Sequence, residues 1–297
     1  MTPHDRVEIP RRKAVTICIA AGCRDHGKPK IVLCADTKGS SALGTTNVMQ
    51  KVLPLTTRWM LGVAGDDDEI NAFFRVARLG FLEALDQEPP IEIDDYNAEI
   101  LFRRALATRS KDKKDSLVQM QVAMSYDELL NGGGAKLPPG HFDDLIKKTR
   151  AIRFRGSFLV AGVSYGAPFI VVSDENGDTS VHADFVAMGS GTYLAQSMML
   201  LREHSHIHDL GRTLYTVYEA KRHAERESGV GTETRMYVLD EAGLWPVSEE
   251  GYIWLEGAYE ERRVKELALI DTDPPEGVLE DFIINSGLGP SSSPSGE

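Results

Sequence analysis

The chain has 297 residues, 42% of them hydrophobic and 26% charged, the composition of a globular protein with ample length for a large core. Its formal charge of -12, from 45 acidic and 33 basic residues, argues against a nucleic-acid partner, which would need a basic face. Three cysteines, Cys18, Cys23 and Cys34, are too few for a disulfide framework, so a reducing, cytoplasmic setting is expected; no apolar run approaches the roughly 20 residues of a membrane span.

Residues 1–13 carry no fold signal and read as an N-terminal extension or propeptide. The basic run Arg11, Arg12, Lys13 ahead of apolar Ala14 to Ala21 also fits an export signal, with Ala21-Gly22-Cys23 as a lipoprotein-type cleavage site. Cleavage there would discard a segment that pairs well with the next apolar run. Thr16 to Ala21 and Ile31 to Ala35 are apolar, partly β-branched runs, and the connection CRDHGKPK makes them a hairpin with a long turn. Cys18 and Cys34 are expected to face each other across it. A further strand is predicted at Trp59 to Ala64. Gly65 and the acids Asp66 to Glu69 then open a helix that runs through Leu85, with Ile70, Phe73, Phe74, Ala77 and Phe81 at helical spacing.

Pro89-Pro90 ends that helix, and a second is expected from near Tyr96. Residues 109–150, charge-rich and holding Gly132-Gly133-Gly134 and Pro138-Pro139, read as an inserted, partly helical and mobile segment. The glycine triplet lacks the Lys-Ser/Thr of a phosphate loop. A second strand block comes next: Ser157 to Val163, Pro168 to Ser173, the hairpin turn Glu175-Asn176-Gly177-Asp178, and Val181 to Met188. Gly189-Ser190-Gly191 opens a helix, His208 to Arg226 forms another, and Arg235 to Leu239 returns as a strand. His204, His206 and His208 alternate, unlike metal ligands three or four apart on a helix, and read as a polar helix-helix connection. Tyr252, Ile253, Trp254 and Tyr259 read as core or subunit-face residues. The expected organisation is a folded domain over residues 14–255, a C-terminal extension over 256–285 and a disordered tail over 286–297. Strands, two helices, strands, two helices and a strand suggest two sheets between two helical layers.

Asp36 ends the second strand in VLCADTKGS, Lys51 comes later in NVMQKVLPL, and Gly65 in GVAGDDDE. Singly these are a turn residue, a solvated lysine and a helix cap. Together with Thr16, HADFVAMGSG and ERESGVG, their order and spacing over residues 14–75 and 156–240 resemble the proteasome β-type family of N-terminal nucleophile (Ntn) hydrolases.

The resemblance implies an α+β fold, a four-layer αββα sandwich. It implies that Thr16, once N-terminal, attacks a peptide carbonyl, with its own α-amine, of pKa about 7.7–8.0, as general base. Lys51 would favour the deprotonated hydroxyl, Asp36 would hold Lys51 charged, and the Gly65 amide would face the oxyanion. Ser190 would stand by the amine, and Ser40 and Gly65 would line the substrate. Glu227 stands where the family has an Asp and Val230 where it has a Ser; Val230 cannot hydrogen-bond. The first strand also aligns when slid by two, which puts Ala14 at the nucleophile position. Val15, where the family has Gly before the threonine, crowds the carbonyl that self-cleavage must reach. A GTG codon at Val15 would instead allow translation to start next to Thr16.

The expected function is therefore a threonine-nucleophile hydrolase of peptide or unfolded-protein substrates. It would act in a homo-oligomeric ring, with no metal, no cofactor, no membrane and no specified unfoldase partner. The alternatives are a non-catalytic structural subunit of the same fold and a hydrolase of small amides.

Overall fold

The structure, a computed structural model, describes residues 16–41, 44–46 and 50–270. The strands in chain order are β1 (Ile17–Asp25), β2 (Lys28–Asp36), β3 (Gly39–Ser41), β4 (Gly44–Thr46), β5 (Val52–Pro54), β6 (Trp59–Gly65), β7 (Gly156–Ser164), β8 (Ala167–Ser173), β9 (Thr179–His182), β10 (Phe185–Gly189), β11 (Thr234–Asp240) and β12 (Gly243–Pro246). The helices are α1 (Asp67–Leu85), α2 (Asp95–Val122), α3 (Tyr126–Leu130), α4 (His141–Arg150), α5 (Thr192–Leu201), α6 (Leu210–Ala224) and α7 (Glu249–Ile270). No described helix is long and apolar enough to cross a membrane.

The fold is α+β, with two five-stranded antiparallel sheets ordered β10-β1-β2-β11-β12 and β5-β6-β7-β8-β9, and a small β3-β4 ribbon. β1 is apolar from Ile17 to Cys23 because that stretch is buried on both faces. One face contributes Cys18 and Ala20 to a cluster shared with Leu33, Val186 and Leu239 of its own sheet and with Met60, Leu159, Ala161 and Ile170 of the other. The two sheets approach closely at Gly62, where a β-carbon would lie 2.8 Å from the Cys18 sulfur. The far face of the second sheet supplies Trp59, Leu61, Phe158, Val160 and Val171 to a cluster with α1 and α2, in which Phe73 stacks on Phe158 at 3.9 Å. The first sheet's other helical neighbours are α5 and α6, with Val217, Ala220 and Ala224 of α6 buried. α1 begins as expected: the Asp66 side chain accepts from the Glu69 amide, and Ile70, Phe73, Ala77 and Phe81 form its buried stripe.

The structure corrects several expectations. The first hairpin has a tight turn rather than a long one. His26 and Gly27 both take positive φ, 48° and 80°, so the strands pair out to Asp25 and Lys28. The register places Cys18 opposite Ala35 and Cys34 opposite Ile19, so the two thiols lie on opposite faces and do not meet. Val181 to Met188 is not one strand. The chain turns at Ala183-Asp184 and passes from the edge of one sheet to the edge of the other. Asp184 holds that corner: its carboxylate accepts from the Ser205 hydroxyl and the His206 amide, and its carbonyl accepts from the Gly22 amide.

Residues 109–150 are helical almost throughout. α2 runs on to Val122, and α3 and α4 pack against its end around Val118, Leu129 and Leu145. Its length defeats prediction because its charged surface has no single apolar stripe. The chain divides into two units, one ending at Tyr252 and one beginning at Ile253. Within the first unit, Tyr252 accepts a hydrogen bond from the Met236 amide at 2.5 Å. The extension at 1–13 and the tail at 286–297 lie outside the described residues.

The histidines do connect α5 to α6. His204 is buried, donates from Nε2 to the Gly22 carbonyl at 3.0 Å, and leaves Nδ1 without a partner. Burial pushes its pKa down to about 4 from 6.5; the Gly22 carbonyl and Asp184 oppose the shift, while His208 and Arg212 add to it. The unfolded chain therefore takes up a proton that the folded chain refuses. This contribution to stability is complete above pH 6.5 and is lost as the pH falls toward about 4. We expect denaturant unfolding to show the largest gap between the parent and His204→Phe near pH 7, closing toward pH 4; a constant gap would mean that this ring is not linked to folding.

Candidate active site

Antiparallel pairing brings the start of β1 beside the ends of β2 and β10. Thr16 precedes β1, Asp36 ends β2, and Lys51 precedes β5. The three meet, each 4% exposed or less. Thr16 donates from Oγ1 to Asp36 Oδ1 at 2.7 Å, and Lys51 donates from Nζ to Asp36 Oδ1 at 2.6 Å and also to Thr16 Oγ1. Asp36 is further engaged by two backbone amides, Ile17 on Oδ1 at 3.0 Å and Gly231 on Oδ2 at 2.9 Å. Four donors converge on one buried carboxylate, three on Oδ1 and one on Oδ2.

Burial pushes the Lys51 pKa down, and the Asp36 carboxylate beside it pulls it back up. Cys18, two residues from Thr16 in sequence, is no competing nucleophile. Burial raises its pKa to about 12 despite the opposing field of Lys51.

Ser190 lies in the turn between β10 and α5. Its Oγ accepts from the Thr16 amide at 3.1 Å and donates back to the Thr16 carbonyl at 3.2 Å. Gly189 makes this approach possible: its φ is 109°, and a β-carbon there would lie 2.2 Å from the Thr16 carbonyl oxygen. Gly65 ends β6 with φ 149°, pressed so close to β7 that a β-carbon would lie 2.4 Å from the Gly156 Cα. Val63 donates its amide to the Lys51 carbonyl at 2.9 Å. Two residues on, strand alternation turns the Gly65 N–H toward that same edge.

The structure thus brings together Thr16, Asp36, Lys51 and Ser190, with Gly65 at the neighbouring strand end. It is Thr16 that reaches Asp36 and Lys51; Ala14, the alternative nucleophile position, lies outside the described residues. Glu227 is not brought in. It is exposed, and the turn uses its backbone: its amide donates to the Ala224 carbonyl and its carbonyl accepts from the Val230 amide. Val230 packs apolar surface toward Gly191, where a β-carbon would lie 2.8 Å from Val230 Cγ2. Ser40 lies in the β3-β4 ribbon opposite Thr45, and the substrate role expected of its side chain lies outside the described residues.

Two residues escaped the sequence reading. Gly231 supplies a backbone amide, which no residue type announces. Asp67 looked like one more acid at a helix start, yet its Oδ1 is buried without a partner. Burial and then the nearby Asp66 raise its pKa, against the field of Lys51, which places it on the site side of α1. Among the described residues no group of three or more His, Cys, Asp or Glu is placed to hold a metal.

No family model matches the chain, and no curated protein matches it either.

Removing the Asp36 carboxylate strands a buried ammonium and two backbone donors. We expect Asp36→Ala to lower stability by about 3–5 kcal/mol, the scale for breaking a buried ion pair, measured by denaturant unfolding. A loss below about 1 kcal/mol, the scale of an exposed pair, would show that water replaces the carboxylate.

Proposed function

We propose that the chain is an amide or peptide hydrolase with Thr16 as nucleophile, built on the αββα sandwich of the Ntn hydrolases and acting in the cytoplasm as a homo-oligomeric assembly. One observation carries the reading: the Thr16 hydroxyl is hydrogen-bonded to both Asp36 and Lys51 while the Thr16 nitrogen faces Ser190. A lysine is almost never buried unless paired, and here the carboxylate that pairs with Lys51 also accepts from the Thr16 hydroxyl.

The chemistry requires the Thr16 nitrogen as a free amine, by cleavage after Val15 or by a translation start beside it. The hydroxyl then passes its proton to that amine as oxygen attacks the substrate carbonyl carbon. Positive charge on Lys51 stabilises the developing alkoxide, and Asp36 orients the ammonium and favours its charged form. The Gly65 N–H faces the carbonyl oxygen as it becomes an oxyanion. Collapse breaks the C–N bond; the leaving nitrogen takes the proton from the amine, and an ester to Thr16 remains. Water, deprotonated by the same amine, attacks the ester and returns the hydroxyl.

A second reading is a non-catalytic protein of the same fold. It is favoured by the exposed position of Glu227 and by Val230, which leave Ser190 as the side chain engaging the Thr16 nitrogen.

The intact mass of the protein made from its natural gene with upstream DNA retained separates the two. A mass beginning at Thr16 supports the hydrolase, and one beginning at Met1 or Thr2 supports the non-catalytic protein. For the species with a free Thr16, we expect Thr16→Ala to abolish both peptide-amide turnover and labelling by threonine-directed electrophiles, and turnover surviving the change would sink the assignment. Lys51→Ala should lower kcat by about two or three orders of magnitude, since the hydroxyl loses its electrostatic activation. A near-normal rate would make the Asp36–Lys51 pair structural.

A further inference from the structure

Glu69 is a carboxylate with 0% exposure in the first turn of α1, four residues beyond Gly65. Acids are almost never fully buried unless paired. At this helix position a glutamate commonly reaches back to the capping residue's own amide. Here that amide is taken, since Asp66 donates to the Arg155 carbonyl at 2.8 Å. The Glu69 carboxylate points elsewhere. Oε1 accepts from Arg109 Nε at 2.9 Å, and Oε2 accepts from Lys113 Nζ and from the Arg155 amide at 3.5 Å.

Three segments meet on this carboxylate. Arg109 and Lys113 lie one turn apart on α2, where the chain enters the helical insert. Residues 153–155 form the lead into β7, where the chain leaves it. Lys113 also donates to the Arg153 carbonyl at 2.6 Å, and its ammonium sits over the Phe154 ring, 5.3 Å from the centroid. Arg155 in turn pairs with Asp66 at 3.2 Å. Gly65 is pinned between them by its pairing with Gly156. Beyond this base the insert has its own small core, with Val118, Leu129 and Leu145 buried and Phe142 and Ile146 packed on them.

A carboxylate and two cations with little exposure are a weak way to gain stability, because desolvation offsets most of the Coulombic attraction. Their geometric effect is stronger: the cluster fixes the start of α1 against both ends of the insert.

We infer that Glu69, Arg109 and Lys113 are positioning residues through which the helical insert of residues 109–150 holds the Gly65 amide in place beside Thr16. The catalytic consequence rests on the hydrolase reading above; the clamp itself does not. It acts on a backbone amide, which has no side chain of its own to fix its direction. Displacing an oxyanion donor by about 1 Å is expected to cost on the order of 100-fold in rate.

The test uses Lys113→Met and the charge-keeping variant Arg109→Lys in the full chain. Hydrogen exchange of peptides covering 62–70 is compared with that of 234–240 in β11. We expect exchange at 62–70 to quicken about tenfold or more in Lys113→Met, a change equivalent to a local opening, with 234–240 unchanged. Arg109→Lys should fall between it and the parent. In the protein with a free Thr16, kcat on a fluorogenic peptide amide should fall by about 10- to 100-fold with KM within about threefold.

Unchanged exchange at 62–70 overturns the clamp. Equal acceleration in both regions makes the cluster a general stabiliser and overturns it too. Local acceleration with kcat intact removes the link to Gly65. A parent with no turnover sinks the hydrolase reading and the catalytic part of this inference, while the exchange result still decides the clamp.

Discussion

The site depends on one buried carboxylate. Asp36 accepts from the Thr16 hydroxyl, the Lys51 ammonium, the Ile17 amide and the Gly231 amide. Those donors come from the start of β1, the lead into β5 and the loop between α6 and β11. Each is a strand start or a loop, and the carboxylate ties them to the end of β2. A carboxylate buried among apolar strands is unfavourable by itself, and only the convergence of all four donors makes it tolerable. The same convergence sets the hydroxyl of Thr16 within reach of a cation.

Close backbone approach is the second constraint. Gly189 lets the turn after β10 close on the Thr16 carbonyl, Gly65 lets β6 press on β7, and Gly62 lets β6 approach Cys18 in the facing sheet. Asp184 and His204 tie the α5-α6 connection back to β1 through the two backbone groups of Gly22. Strand ends near Thr16 are thus held from two sides: by polar contacts at the site, and by the apolar cluster shared between the sheets.

The insert extends this logic to the helical side. Two of its charged residues, Arg109 and Lys113, reach a carboxylate with no exposure. The helix that carries Glu69 begins directly after Gly65. A structural element remote in sequence is thereby connected to the strand end that faces Lys51.

The sequence by itself determined the strands whose apolar runs are buried on both faces, and the helix whose apolar residues repeat at three and four. Those signals are local, because the period of apolar residues along the chain can be read without knowing what they pack against. Thr16, Asp36, Lys51 and Ser190 were indicated together only through the resemblance of their motifs and order to a known family, and the antiparallel pairing of β1 with β2 and β10 is what brings Thr16 beside Asp36 and Ser190. The tertiary structure alone decided the rest. The His26-Gly27 turn lengthened the hairpin because two consecutive positive φ values suit the strand twist, and that register parted Cys18 from Cys34. The run 181–188 split at Asp184, whose carboxylate found partners 21 and 22 residues away, which no periodicity records. Glu227 left the site because the turn after α6 engages its backbone and leaves its side chain in solvent. The amide of Gly231 and the burial of Glu69 were invisible for the same physical reason. A backbone donor has no residue code, and a charged side chain is buried only when distant partners arrive to compensate it.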